Sequence, residues 1–113
     1  MAVQQQVPGL TRTDLQQHDL SVPGREMIQN RVDIDPDAPA IRHWHPGEEI
    51  IYVLEGSLQY EIDGEPPRTV SAGEALMVPA EAVHSVRNIG GGKAAELATY
   101  VVEKNKPLLN LAD

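Results

Sequence analysis

The 113-residue chain has no cysteine and no phenylalanine, and only four aromatic residues, one tryptophan and three tyrosines. Without cysteine there is no disulfide framework, no thiolate zinc site and no cysteine nucleophile, so any bound metal must be held by nitrogen and oxygen. Without phenylalanine the interior has to be built from Ile, Val, Leu, Met and Ala, which makes a pocket in it aliphatic. Positive charge is scarce too: nine Lys and Arg, scattered singly, stand against seventeen Asp and Glu, for a formal charge of −8. Nucleic acid and anionic membrane are therefore not expected as partners, since both need clustered positive charge. No apolar run approaches the roughly 20 residues of a membrane span. Met1 to Gln6 lack the basic-then-apolar layout of a signal peptide, so the cytoplasm is the expected location. Sustained helical periodicity is also missing. Nine glycines and nine prolines instead cut the chain into short pieces, the punctuation of an all-β sandwich or barrel.

At this length the chain reads as one domain, large enough to bury about two thirds of its unfolded surface without a covalent staple. Residues 1–24 read as an N-terminal arm or edge strand, with a frayed lead-in over the first nine and the turn signal Pro23-Gly24 at the end. Residues 25–102 read as the barrel and 103–113 as a tail that lies over its wall through Leu108, Leu109 and Leu111. From Arg25 to Ile34 the alternation puts Ile28, Asn30, Val32 and Ile34 inward. Asp35-Pro36-Asp37-Ala38-Pro39 breaks the chain, because proline cannot donate to a ladder. Strict alternation over Leu58 to Ile62 points Leu58, Tyr60 and Ile62 inside, and Asp63-Gly64 signals a hairpin. Arg68 to Val70, Ala75 to Val78, Val83 to Arg87 and Ala94 to Val102 bring the expected count to about nine strands. Such a series suits a double-sheet jelly roll.

The chemistry concentrates in His43-Trp44-His45-Pro46-Gly47-Glu48-Glu49. In an extended strand residues two apart share a face, so His43 and His45 present two imidazoles with Cα atoms about 6.6 Å apart, while Trp44 points away. Pro46-Gly47 reads as a tight turn, and Glu49 to Glu55 as a returning strand that carries a carboxylate back beside the imidazoles. Strand parity puts Glu49, Ile51 and Val53 inward, and Ile50, Tyr52 and Leu54 outward. Both faces of that strand are apolar, so the outer one is expected to pack under a second sheet or another subunit. Two nitrogens and one oxygen converging in this way suit a divalent first-row metal. A further imidazole, His84, stands in an apolar strand-like piece between Pro79 and Asn88.

The two stretches together resemble the paired motifs of the cupin superfamily, small single-domain bacterial type. The first is His43-x-His45, three residues, Glu49, six residues, Gly56; the second is Gly73, five residues, Pro79, four residues, His84, three residues, Asn88. Sixteen residues separate them, from Gly56 to Gly73. The resemblance covers residues 37 to 88 and implies a double-stranded β-helix barrel. It also implies one divalent transition metal, iron or manganese foremost, with nickel, cobalt, zinc or copper as alternatives, held by His43, His45, Glu49 and His84. Family spacing selects Glu49 over Glu48, and strand parity agrees. An isolated histidine is ordinarily a solvated surface residue, but these three share a face with Ile41, Ile51, Val53 and Val86, where unpartnered imidazoles would be costly. Two positions depart from the family, Asp37 and Glu81 standing where glycine is usual. A left-handed backbone at Glu81 would cost about 1 kcal/mol.

A metal with open positions in a water-poor aliphatic cavity leads to the first functional expectation, a dioxygenase-like oxidoreductase acting on a small organic substrate. Non-oxidative isomerase or lyase chemistry ranks second, because it needs an acid or base beyond the ligands and Tyr60 is the one inward titratable group found. A non-catalytic ligand-binding module ranks third. The N-terminal arm, by the same resemblance, points to a homodimer.

Overall fold

The computed structural model describes residues 3–113, with side chains described from Val7 onward; Met1 and Ala2 lie outside the described residues. Among the described residues eleven strands form two antiparallel sheets and there is no helix, hence none long and apolar enough to cross a membrane. The strands are β1 (Val3–Val7), β2 (Leu10–Asp19), β3 (Arg25–Ile34), β4 (His43–Trp44), β5 (Gly47–Glu55) and β6 (Ser57–Ile62). After them come β7 (Arg68–Ser71), β8 (Ala75–Val78), β9 (His84–Asn88), β10 (Ala95–Glu103) and β11 (Asn110–Leu111). The first sheet runs β1-β2-β3-β10-β5-β8 and the second β11-β4-β9-β6-β7, the two layers of a jelly roll.

Alternation organises the core as expected. On β3 the residues Asn30, Val32 and Ile34 are buried, on β6 Leu58, Tyr60 and Ile62, and on β5 Glu49, Ile51 and Val53. Strand β10 is the spine of the first sheet, paired along its whole length with β3 on one side and from Ala95 to Val102 with β5 on the other. The Asp63-Gly64 turn closes the β6–β7 hairpin, with Gly64 in the left-handed region at φ 85°. Because the core side chains are mostly aliphatic and small, the layers do not fill the space between them, and a cavity of about 330 Å³ remains.

Four details differ from the sequence reading. The lead-in is a strand: β1 pairs with the first residues of β2, so β2 is interior to the sheet and β1 holds the edge. Pro46-Gly47 is not a hairpin turn but the corner where the chain passes from the second sheet (β4) to the first (β5). Glycine is required there by close approach, since a Cβ on Gly47 would lie 2.0 Å from the Val101 carbonyl oxygen. The outer residues of β5, Ile50, Tyr52 and Leu54, are exposed rather than covered by a second sheet, and Trp44 belongs to the other sheet. Finally, the turn at Asp35 to Ala38 closes through the Ala38 N–H to the Asp35 carbonyl without positive φ at Asp37, so glycine is not needed at that position.

Candidate metal centre

The three imidazoles come from the second sheet and the carboxylate from the first. His43 on β4 stands directly opposite His84 on β9 in the ladder, and His45 follows at the end of β4, where the chain turns the Pro46 corner. That corner delivers Glu49 on β5 from the facing layer. Ring centroids are 5.0 Å apart for His43 and His45, 4.3 Å for His43 and His84, and 5.2 Å for His45 and His84. One ring nitrogen from each lies within 4.8 Å of the other two. Glu49 Oε1 is 3.2 Å from His45 Nε2 and 3.1 Å from His84 Nε2. The structure thus brings together all four side chains singled out in the sequence, and leaves Glu48 outside the cluster.

Backbone carbonyls set the tautomer of each ring. His43 Nδ1 bonds to the Ile41 carbonyl at 2.8 Å, His45 Nδ1 to that of Leu108 at 2.7 Å, and His84 Nδ1 to that of Ala82 at 2.9 Å. A carbonyl can only accept, so each Nδ1 carries the hydrogen, and a neutral ring presents its Nε2 lone pair to the others. His45 Nε2 is close enough to Glu49 for an ion pair, yet it is buried without a hydrogen bond of proper geometry among the described residues. Distance alone does not make that contact a hydrogen bond. Lone pairs and a carboxylate oxygen facing one point repel unless a cation or proton lies between them, which is the donor set a divalent ion requires.

The turn preceding His84 is strained as anticipated. Glu81 adopts φ 63°, its N–H donates to the His45 carbonyl at 3.1 Å, and Ala82 N–H bonds back to Pro79. This non-glycine residue in the left-handed region ties the loop carrying one imidazole to the end of the strand carrying another.

Sequence reasoning missed Glu96. It lies on β10, 2% exposed, on the face shared by Ala98, Tyr100 and Val102, and it lines the same cavity as the imidazoles. The Tyr60 hydroxyl donates to its Oε1. Burial and the negative charge of Glu49 push this carboxyl up to about 8, against the downward pull of the Tyr60 hydrogen bond. Glu96 is thus an inward titratable group beyond Tyr60 and the ligands, contrary to the expectation from sequence. Phasing the Ala94–Val102 run would have found Glu96, since Ala98, Tyr100 and Val102 follow it at period two. Tyr100 was missed with it: it opposes Glu49 in the ladder and meets the His45 ring edge-on at 4.7 Å. Burial, with Glu49 and Glu96 nearby, pushes both Tyr60 and Tyr100 well above the usual phenol value. The His43 ring, mostly buried and beside His84, is lowered to about 4 and so is neutral at physiological pH.

The C-terminal segment borders the site. Strand β11 pairs with β4, and Leu108, Leu109 and Leu111 line the cavity, so the tail is part of the wall around the site.

Comparison with known proteins agrees with this architecture. A family model described as "Cupin domain" matches residues 30–102. Among curated proteins, the polyketide synthase CurC of Streptomyces cyaneus is 42% identical over 72 residues, 63% of this chain and 46% of that protein. The dimethylsulfoniopropionate lyase DddQ of Ruegeria pomeroyi is 36% identical over 45 residues, 40% of this chain and 22% of that protein. The matches span less than half the length of these relatives. Of solved structures, an oxalate oxidase in complex with the substrate analogue glycolate superimposes with a TM-score of 0.72 at 28% identity, over 95% of this chain and 57% of that one.

Proposed function

This chain belongs to the cupin family, and from that premise we propose that it is a mononuclear metal enzyme that moves protons on a small organic substrate without consuming oxygen. The carrying observation is the Glu96–Tyr60 pair, which faces the same cavity as the three imidazoles. In this reading His43, His45, His84 and Glu49 hold one divalent transition metal, with iron and manganese foremost. Support comes from the three Nε2 lone pairs and the carboxylate oxygen that converge with no other cation among them. When bound, the ion supplies Lewis acidity, polarising a substrate carbonyl or hydroxyl oxygen.

The protein's own groups do the rest. The ionised fraction of Glu96 is a base for a hydrogen on the carbon next to the polarised group, and its protonated fraction is an acid for a departing or re-forming oxygen. Burial holds this carboxyl above the usual carboxylate range, which favours a proton available for transfer near neutrality. One proton leaves carbon for a Glu96 oxygen and is then returned to the substrate at another atom, with no net oxidation. Tyr60 orients the carboxyl through its hydroxyl, and the aliphatic walls keep bulk water from competing. The name lyase, borne by one of the similar proteins, agrees with chemistry of this class.

The dioxygenase-like reading is retained as the second. It is favoured by a ligand set that leaves coordination positions free in a mostly aliphatic cavity, and by the similarity to an oxalate oxidase. One experiment separates them. Iron- or manganese-loaded protein is incubated in deuterated buffer with small ketones and β-hydroxy ketones, with and without oxygen, while NMR follows hydrogen exchange and an electrode follows oxygen. Exchange or dehydration under argon is expected. Oxygen uptake with no anaerobic exchange would overturn the proton-transfer reading, and no turnover with any metal would favour a binding module. The homodimer expectation is part of the same proposal, supported by the exposed apolar stripe of Ile50, Tyr52, Leu54 and Met77, and is checked by light scattering.

A further inference from the structure

The cavity has a charged group that the metal centre and the Glu96–Tyr60 pair do not use. Arg12 on β2 pairs with Val32 on β3, and Val32 pairs with Glu96 on β10. Arg12 and Glu96 therefore lie in one row across the first sheet, with backbones two strand spacings apart, roughly 10 Å. Both line the cavity, together with Leu10, Val32 and Leu108. Among the described residues Arg12 is the one Lys or Arg that does so.

Arg12 is poorly satisfied within the protein. Its Nε is buried without a hydrogen-bond partner among the described residues. The nearest carboxylate, Asp14 Oδ1, lies 3.5 Å from Nε and belongs to a side chain that is 46% exposed, so water shares that contact. A guanidinium cannot shed its charge, and here its Nε lacks a well-formed hydrogen bond while its charge is shared only with a half-exposed carboxylate, so an anion arriving with a ligand would complete its contacts. The other acidic groups on the wall do not supply one. Glu49 is engaged by His45 and His84, and Glu96 accepts from Tyr60. The chain carries a net charge of −8, so attraction of an anion here is local to this cavity rather than a property of the whole surface.

We propose that Arg12 is a specificity-determining residue that selects substrates bearing a carboxylate at the end remote from the three imidazoles. A single guanidinium among aliphatic walls suits a monoanionic carboxylate, which its planar fork can engage with two donors, better than a phosphate dianion. Joined to the proton-transfer reading, the substrate class becomes a short aliphatic oxo or hydroxy acid whose oxygen-bearing carbon lies near the imidazoles. The inference rests on that reading only for which end reacts.

The test uses 4-oxopentanoate, 5-oxohexanoate and 6-oxoheptanoate, each against its methyl ester. Affinities are measured by calorimetry on metal-loaded and on metal-free protein, the latter because a carboxylate can there find no ion to bind. Wild type is expected to favour at least one acid over its ester about ten-fold or more in both forms. Arg12→Gln, with folding checked by circular dichroism, is expected to abolish the preference, and Arg12→Lys to keep part of it. Equal binding of acid and ester by wild type at every chain length, or a preference unchanged in Arg12→Gln, would overturn the assignment. Loss of anaerobic hydrogen exchange with the Arg12-dependent preference intact would instead count against the reaction alone.

Discussion

Glu49 and Glu96 lie on neighbouring strands, face the same cavity and are both fully buried, yet they are pushed in opposite directions. Burial raises each. For Glu49 the His45 and His84 rings 3.1–3.2 Å away, in the form that carries a proton on Nε2, outweigh it and bring the carboxyl down to about 2. Glu96 meets only a phenol, and the negative charge of Glu49 adds to burial to lift it to about 8. Equal depth thus does not give equal charge: the close partners of Glu49 offset burial, whereas the single phenol beside Glu96 does not. One end of the cavity keeps a permanent anion suited to a metal, while the other keeps an exchangeable proton.

The most severe way to break the comparison is to remove the imidazoles that make Glu49 what it is. His45→Ala and His84→Ala should each lose bound metal while still folding, with affinity down by about 100-fold or more. Elemental analysis and circular dichroism check this, and a full metal complement in either variant would mean that the ligands are misassigned. Next comes the other end. Glu96→Gln should keep its metal but lower the proton-transfer rate by about 10²- to 10⁴-fold. It should also remove a pH dependence of stability. A carboxyl raised from 4.5 to about 8 on folding stabilises fully below its unfolded value, and that contribution is lost as pH rises through the folded value. Chelator-treated wild type should therefore lose urea resistance between about pH 5 and pH 8, and Glu96→Gln should lose less; equal losses would refute the raised value.

A milder change sharpens the contrast. Tyr60→Phe deletes the one contact that pulls Glu96 down, so the midpoint of its pH–rate profile should move upward, with a stability loss of about 1 kcal/mol. A downward shift would show that the hydroxyl holds the protonated form instead. Smallest is Glu81→Gly, which relieves the left-handed residue before His84. About 1 kcal/mol of stabilisation, a few degrees in melting temperature, is expected with metal affinity unchanged.

Much of this was legible in the sequence. The spacing of His43, His45, Glu49 and His84 and the alternation around Ile51, Leu58 and Tyr60 indicated the barrel and which side chains face inward. Glu96 was hidden because a glutamate in an apolar run is ordinarily an exposed residue, and only the phase set by Ala98, Tyr100 and Val102 shows otherwise. Arg12 was hidden for a related reason: its segment is weakly patterned, and its face is defined by pairing with Val32 rather than by its own neighbours. The passage of Pro46-Gly47 between sheets had no local signal either, since proline followed by glycine describes a corner as well as a hairpin. The bond from His45 to the Leu108 carbonyl runs to backbone 63 residues away, and no side-chain pattern encodes it.

That last bond couples access to chemistry. The segment whose leucines narrow the entrance is also the one whose carbonyl keeps hydrogen on the far nitrogen of His45. Peeling residues 107–111 away, by a fused tag or by a guest too bulky for the opening, would free that ring to exchange tautomers and turn an N–H toward its fellow imidazoles. In the proposed metal site, one short piece of chain would thus bear on both the lining of the cavity and the orientation of one ligand ring.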